Sequence, residues 1–113
     1  MISIEAKPWE PAVGVTENWQ QLHEGLLKTT KDHKSDIKAV FVGDAITAGW
    51  AWDPNEWGLD VWNNCYAPRH AYNYGIGGDT TSNVLWRIQN KEFDDLKPNV
   101  VVVMIGRFRL YNI

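Results

Sequence analysis

The chain has 113 residues and a formal net charge of −3, and its composition, 44% hydrophobic and 22% charged, is typical of a globular domain and not of a disordered segment. The absence of a basic block argues against nucleic acid as the main partner, and no apolar run is long enough for a membrane span. The start of the sequence has no signal-peptide core and Cys65 is a lone cysteine, so we expect a cytoplasmic protein without an internal disulfide.

The first predicted elements are an extended arm over residues 1–14 and a helix that runs from a cap at Thr16 to about Thr30. His23 lies off the apolar stripe of this helix, so we expect its side chain on the solvated surface. The stripe itself is predicted from residues at steps of three and four: Val15, Trp19, Leu22 and Leu26.

A turn after the first strand is the first candidate for a functional site. The apolar run over residues 37–42 predicts a buried strand, which stops at Gly43-Asp44 before a segment of small residues. In an open α/β sheet, ligands lie beyond the carboxyl ends of the strands. A serine at position 45 would be an exposed nucleophile there, but this chain has Ala45, which has no atom able to attack a substrate.

Residues 51–69 are predicted to be irregular and are rich in Trp, Asn and Pro. Two interpretations are open for them: an aromatic-lined pocket wall, or a loop packed over the sheet. A short second strand is predicted over residues 70–74. A helix capped by Asp79 or Thr80 follows to about Asn90, with three residues expected to face inward: Val84, Leu85 and Ile88.

The glycine turn between this strand and helix, residues 75–81, has the sequence Gly-Ile-Gly-Gly-Asp-Thr-Thr and three conceivable uses. A dinucleotide fingerprint needs Gly-x-Gly-x-x-Gly, but Thr80 stands where the third glycine belongs, and no Gly-Lys-Ser/Thr of a P-loop occurs. The glycines also suit a plain turn before a helix. The third use is catalytic, because backbone N–H groups of such a turn can stabilise an oxyanion.

The residues from Asn99 to Ile105 form an almost unbroken valine run, typical of a parallel strand buried on both faces. The order of elements predicts a three-layer α/β/α sheet with right-handed crossovers. Three strands and two helices cannot cover both faces of such a sheet, so the last strand would expose a long uncharged edge. We therefore expect the front part of a domain over residues 15–106 and a divergent tail over residues 107–113.

The chain offers no predicted metal or cofactor site, because His23, His33 and His70 are scattered and no cluster has metal-ligand spacing.

Three stretches occur in an order that resembles a known family: Gly43-Asp44-Ala45-Ile46, then Tyr72 to Ile88, then Lys97 to Gly106. Together they resemble the SGNH (GDSL-type) hydrolases, and most closely the catalytic subunits of platelet-activating factor acetylhydrolase IB. The resemblance covers about residues 15–106. It implies a flavodoxin-like α/β/α domain, of which only the N-terminal part with about three parallel strands is present, and hydrolysis of an acyl ester by a serine.

The resemblance also implies the roles of individual positions. The nucleophile position falls on Ala45, the oxyanion glycine is Gly78, and the position of the oxyanion asparagine holds Phe108. The family's Asp-x-x-His motif, which supplies the general base and its orienting carboxylate, occurs nowhere in the sequence. Only the backbone donor of Gly78 survives from this set, so we expect no meaningful esterase activity.

Partners are likewise implied by the resemblance: an acyl-ester substrate such as a phospholipid, a homo- or heterodimer, and a β-propeller regulatory subunit. The main interpretation is a truncated, inactive member of the family, in which the alanine is either natural or engineered. The alternative is a non-catalytic module that dimerises or competes for partners through the valine-rich strand, although such an edge is also an aggregation hazard. A third interpretation, a nucleotide-binding half-domain, is supported by the glycine turn alone.

Overall fold

The computed structural model describes residues 7–52 and 58–106, and Phe108 with the rest of the predicted tail lies outside them. The helices and strands in chain order are α1 (Trp19–His33), β1 (Ala39–Gly43), α2 (Ala45–Trp52), α3 (Leu59–Val61), β2 (Ala71–Gly75), α4 (Thr81–Gln89) and β3 (Val100–Met104). A π-helical turn (Trp62–Tyr66) and a 3-10 turn (Ala67–Arg69) connect α3 to β2.

The three strands form one parallel sheet in the order β2-β1-β3. Ala39 of β1 lies opposite Ala71 and Val100, and four residues later Gly43 lies opposite Gly75 and Met104. The carboxyl ends of all three strands therefore meet at one edge, which confirms the predicted α/β class with three parallel strands.

Helices lie on both faces of this sheet, as two neighbouring residues of β2 show. Asn73 donates a 2.7 Å hydrogen bond to the carbonyl oxygen of Thr47 in α2. The hydroxyl of Tyr74 is hydrogen-bonded at 2.6 Å to that of Thr30 in α1. Since successive strand residues point to opposite faces, α1 and α2 lie on opposite sides of the sheet. This is the predicted three-layer arrangement.

Each face has its own apolar packing. On the side of α1 and α4 the core consists of aliphatic residues around one tyrosine: Ile37, Val40, Val42, Tyr74 and Val84. On the other side Phe41 packs edge-to-face against Trp62 and Tyr66, with ring centroids 5.1 and 5.3 Å apart. Residues 58–69 therefore pack over the sheet as short helical turns. The expectation of an irregular segment is wrong for them, while residues 53–57 lie outside the described part.

The start and the stripe of α1 differ from the prediction. The helix begins at Trp19 after Asn18, and Thr16 does not cap it with its side chain. Val15 is 97% exposed and Leu22 is 41% exposed, whereas the buried residues of the helix are Trp19, His23 and Thr30. The buried face has helical spacing, but polar side chains with hydrogen-bonding partners occupy part of it.

The start of α4 confirms the predicted cap. The Thr80 hydroxyl accepts from the backbone N–H of Asn83, and the Asn83 side chain accepts from the backbone N–H of Thr80. Val84 is buried as predicted and Leu85 is partly buried. Ile88 is 51% exposed, so its predicted inward orientation is wrong. It borders a shallow apolar depression with Val101 and Val103 of β3, which is itself uncovered.

β3 is an edge strand with both faces exposed. It pairs only with β1 in the described part of the chain, and its residues Val100 to Met104 are between 39% and 59% exposed. The prediction of a strand buried on both faces is therefore wrong here. The accompanying expectation of an uncharged exposed edge is confirmed.

Candidate active site

The turn after β1 starts α2 through Asp44. The buried carboxylate of this residue accepts a 3.0 Å hydrogen bond from the backbone N–H of Ile46, and its carbonyl oxygen accepts one of 2.9 Å from Ala48. Asp44 is therefore the N-cap of the helix. Ala45 is the first residue of α2, half-buried, at the end where the helix dipole favours a negative charge.

Two glycines allow α2 to sit directly on the strand ends. A Cβ atom on Gly43 would lie 2.5 Å from the carbonyl oxygen of Met104, and one on Gly75 would lie 2.9 Å from Cα of Ala48. Real Cβ atoms do not approach so closely, so any side chain at either position would push the helix or a strand away. The backbone N–H of Ile76 also donates a 3.0 Å hydrogen bond to the carbonyl oxygen of Gly43. The turns after β1 and β2 are thereby joined.

The glycine turn lies beside Ala45. A Cβ atom on Gly77 would be 3.6 Å from that of Ala45, which is ordinary van der Waals contact. Gly78 has φ +84°, a left-handed conformation that favours glycine. The structure thus brings the predicted nucleophile position and the turn of the predicted oxyanion glycine together. Phe108, the third predicted site residue, lies outside the described residues.

Asp79 lies in the glycine turn and is fully buried. Its carboxylate accepts hydrogen bonds from Nε1 of Trp19 at 2.6 Å and from Nε of Arg87 at 2.9 Å. Burial raises the pKa of Asp79, while the charge of Arg87 and these hydrogen bonds oppose the shift. The negative charge of Asp44 also raises the pKa of Asp79, by less than burial does.

Arg87 of α4 connects this carboxylate to a second one. It is fully buried, and its Nη1 donates to the carbonyl oxygen of Tyr74 at 2.8 Å and to Oε1 of Glu92 at 2.5 Å. Its Nη2 lies 2.9 Å from Oδ2 of Asp79 without the alignment of a hydrogen bond. Burial also raises the pKa of the Glu92 carboxyl group, against the charge of Arg87.

His23 is buried and contacts Glu92, so the prediction that its side chain lies on the surface is wrong. Its Nδ1 lies 2.6 Å from Oε2 of Glu92, its side chain is 3% exposed, and its ring stacks on Trp19 with centroids 5.7 Å apart. A histidine is buried at little cost when its ring nitrogen has a partner. We call these five residues the buried ion network: Trp19, His23, Asp79, Arg87 and Glu92.

Sequence reasoning missed this network although one signal was present. Trp19, His23, Leu26 and Thr30 recur at steps of four, three and four, which is one face of a helix. Assigning the face by apolar residues alone placed His23 outside it. No local sequence pattern indicated that Glu92 contacts His23, because the two residues are 69 positions apart in the chain.

Within residues 7–52 and 58–106 no group of three or more His, Cys, Asp or Glu side chains is arranged to hold a metal ion. The same residues include no helix with the length and hydropathy needed to cross a membrane.

Known proteins match the part of the sequence that contains these turns and strands. A sequence model of the GDSL-like lipase/acylhydrolase family matches residues 41–107, more than half of the chain. Platelet-activating factor acetylhydrolase IB subunit alpha2 of Rattus norvegicus and of Homo sapiens is 37% identical over 90 residues, which is 80% of this chain and 36% of the relative. Subunit alpha1 of Rattus norvegicus is 35% identical over 88 residues, 78% of this chain and 34% of the relative. The chain therefore spans about a third of the length of these curated relatives.

Proposed function

Because the chain belongs to the GDSL-like lipase/acylhydrolase family, we propose that it carries the nucleophile turn and the oxyanion turn of an acyl-ester hydrolase and does not hydrolyse esters itself. The observation that supports this most directly is the position of Ala45 at the start of α2, in contact range of Gly77. The name of the relatives, platelet-activating factor acetylhydrolase, supports a short acyl ester, with acetyl favoured, as the substrate class of the parent reaction.

In that reaction a serine hydroxyl at position 45 attacks the ester carbonyl and takes over the acyl group, while the alcohol leaves with a proton. The developing oxyanion lies beside the backbone N–H of Gly78 and in front of the positive end of α2. The methyl group of Ala45 has no lone pair and forms no acyl intermediate. Without the nucleophile only the residual rate from binding and the oxyanion hole remains. Loss of a second donor at Phe108 costs roughly a further 2.7–4 kcal/mol of transition-state stabilisation.

Within residues 7–52 and 58–106, no histidine is placed to act as a general base beside Ala45. His70 forms a pair with Asp36, with Nδ1 and Oδ1 2.8 Å apart, but it precedes β2, whereas Ala45 follows β1. The strands are parallel and five residues long, so about 16 Å of strand separates the two ends. His23 is already engaged with Glu92. His33, the last residue of α1, packs against Tyr72 with ring centroids 5.6 Å apart. None of the three histidines is placed to activate a group at position 45.

The test compares hydrolysis of p-nitrophenyl acetate by four purified proteins. Two are this chain and its Ala45→Ser variant. The other two carry the same residues 1–106 joined to the carboxyl-terminal remainder of the rat alpha2 subunit. We expect no hydrolysis above a denatured control from the first two, and hydrolysis in proportion to enzyme only from the extended chain with Ala45→Ser. Activity of the unaltered chain overturns the proposed inactivity. An extended, folded Ala45→Ser chain without activity overturns the role assigned to position 45.

A second candidate function, a non-catalytic interaction module, is supported by β3. The segment Val-Val-Val-Val-Met from Val100 to Met104 is exposed, carries no charge and offers one unpaired edge within the described residues. Such an edge accepts a further strand by backbone hydrogen bonding, and a second copy of this chain supplies one. Through this surface the module would dimerise or compete for partners of the kind that the family resemblance implies, including a β-propeller subunit. Size-exclusion chromatography with circular dichroism distinguishes a folded dimer from a monomer or an aggregate.

A further inference from the structure

A groove with a volume of about 640 Å³ lies between α1 and the carboxyl end of β2. This volume is within the range of sites that bind small molecules. Residues from three parts of the chain form its apolar wall: Leu22, Gly25 and Leu26 of α1, Ala48 of α2, and Ile76 and Gly77 after β2.

The wall of the groove is mainly apolar, and its polar side chains are Asn18 and Gln21, which are exposed, and Thr29 and Asn73. The Asn73 side chain already donates to the carbonyl oxygen of Thr47 at 2.7 Å and accepts from the N–H of Gly75 at 2.8 Å. The Thr29 hydroxyl donates to the carbonyl oxygen of Gly25 at 3.1 Å. None of the described residues that line the groove is charged. A ligand gains free energy here mainly by removing apolar surface from water.

The groove is continuous with the candidate active site through Gly77. This residue lines the groove, and a Cβ atom built on it would lie 3.6 Å from that of Ala45. We propose that the groove holds the unbranched hydrocarbon chain of a lipid ester whose carbonyl lies between Ala45 and Gly78. The position of the carbonyl rests on the proposed function, whereas the binding of the chain depends on the groove alone.

Gly25 controls the free space in the groove. A Cβ atom built on this helical glycine meets no atom within 4 Å. A larger side chain there enters the groove without moving the backbone, and it replaces a residue that weakens a helix. Gly25→Leu is therefore a variant that blocks the groove and keeps the fold. Gln20→Leu adds the same side chain at an exposed position of α1 outside the groove and is its matched control.

The experiment titrates the chain with octyl acetate and with methyl octanoate, and follows backbone amide signals by NMR. The first probe carries the hydrocarbon chain on the alcohol side of the ester and the second on the acyl side. Methyl acetate, which has no long chain, is the negative probe. We expect saturable shifts at Gly25, Ala48 and Gly77 with at least one of the long esters and none with methyl acetate. Gly25→Leu weakens this binding by at least about tenfold, because buried methylene groups lose their contact area, while Gln20→Leu does not.

Each outcome decides a separate point. The long ester that binds identifies the side of the carbonyl from which the chain enters the groove. Shifts confined to β3, or binding that Gly25→Leu leaves unchanged while thermal melting shows a folded protein, overturn the groove assignment. Hydrolysis of octyl acetate by the unaltered chain during the titration overturns the proposed inactivity and leaves the groove assignment in place.

Discussion

The indole Nε1 of Trp19 donates a 2.6 Å hydrogen bond to the carboxylate of Asp79, a residue 60 positions later in the chain. This bond attaches α1 to the turn that contains Gly77 and Gly78. Arg87 holds the same carboxylate from α4. Donors from two helices converge on one buried carboxylate. The buried ion network therefore holds the glycine turn, which lies beside Ala45, in place.

Arg87→Met tests how much the network contributes to the fold. The variant leaves Asp79 and Glu92 buried without their shared cation. Breaking a buried ion pair by removing one partner costs about 3–5 kcal/mol, so we expect a lower urea midpoint of unfolding or loss of the folded baseline. The measurement is urea unfolding followed by tryptophan fluorescence.

The control for Arg87→Met is Lys28→Met, which breaks a surface pair. Lys28 and Asp32 are 2.5 Å apart, but their side chains are 76% and 43% exposed. Solvent screens such a pair, so its removal is expected to leave the urea midpoint unchanged. Equal unfolding curves for the two variants would contradict the structural role of the network.

Two glycines are predicted to respond to alanine in opposite directions. Gly78→Ala places a side chain at φ +84° and brings Cβ within 3.2 Å of Cγ2 of Thr16. The left-handed conformation alone costs roughly 1–2 kcal/mol. Gly25→Ala lies inside α1 with free space around its Cβ atom and is expected to stabilise the fold by roughly 0.5–1 kcal/mol. Thermal melting measures both, and a rise in Tm for both variants would exclude the left-handed turn.

The hydroxyl of Tyr72 is expected to lose its proton at a higher pH than an ordinary tyrosine. Its hydroxyl donates a 2.7 Å hydrogen bond to Asp36, which together with burial raises the pKa of Tyr72 from 10.0 to about 12. The folded chain therefore retains a proton that the unfolded chain loses. This contribution to stability is fully present below pH 10 and is lost as the pH rises through about 12.

An absorbance titration of tyrosinate measures this pKa, with Tyr72→Phe identifying the signal. Asp36→Asn removes the anionic acceptor and is expected to return the pKa of Tyr72 toward 10.0. Asp32→Asn is the control, because that carboxylate is bound by Lys28 and does not contact the tyrosine. A pKa that is the same in the unaltered chain and in Asp36→Asn would refute the hydrogen bond.

The parts of the fold that the sequence predicted correctly have local signals. The parallel strands, the turn at Gly43-Asp44 and the cap at Thr80 are encoded by residues within a few positions of one another. The roles of Ala45 and Gly78 came from a family resemblance and stay predictions. The structure places their two turns side by side, because the carboxyl ends of parallel strands share an edge.

The parts that the sequence did not predict depend on distant partners. His23 and Glu92 are 69 residues apart, and no periodicity connects them. The polarity of His23 therefore indicated a surface position, although its partner makes burial favourable. β3 illustrates the converse: its valines indicated burial, but burial depends on which elements pack against a strand, and β1 alone pairs with it in the described chain.

The exposed edge of β3 is predicted to cause self-association. Val103 is the most exposed residue of the strand, at 59%, so Val103→Lys adds a charge to the edge with little loss of packing. A charged side chain on an edge strand opposes pairing with another chain.

Val61→Lys, at a 46% exposed position of α3, adds the same charge elsewhere and is the control. Light scattering coupled to size-exclusion chromatography should show concentration-dependent association of the unaltered chain and of Val61→Lys, and a monomer for Val103→Lys. If all three folded proteins give the same distribution of species, β3 is not the interface, and the interaction-module function loses its support.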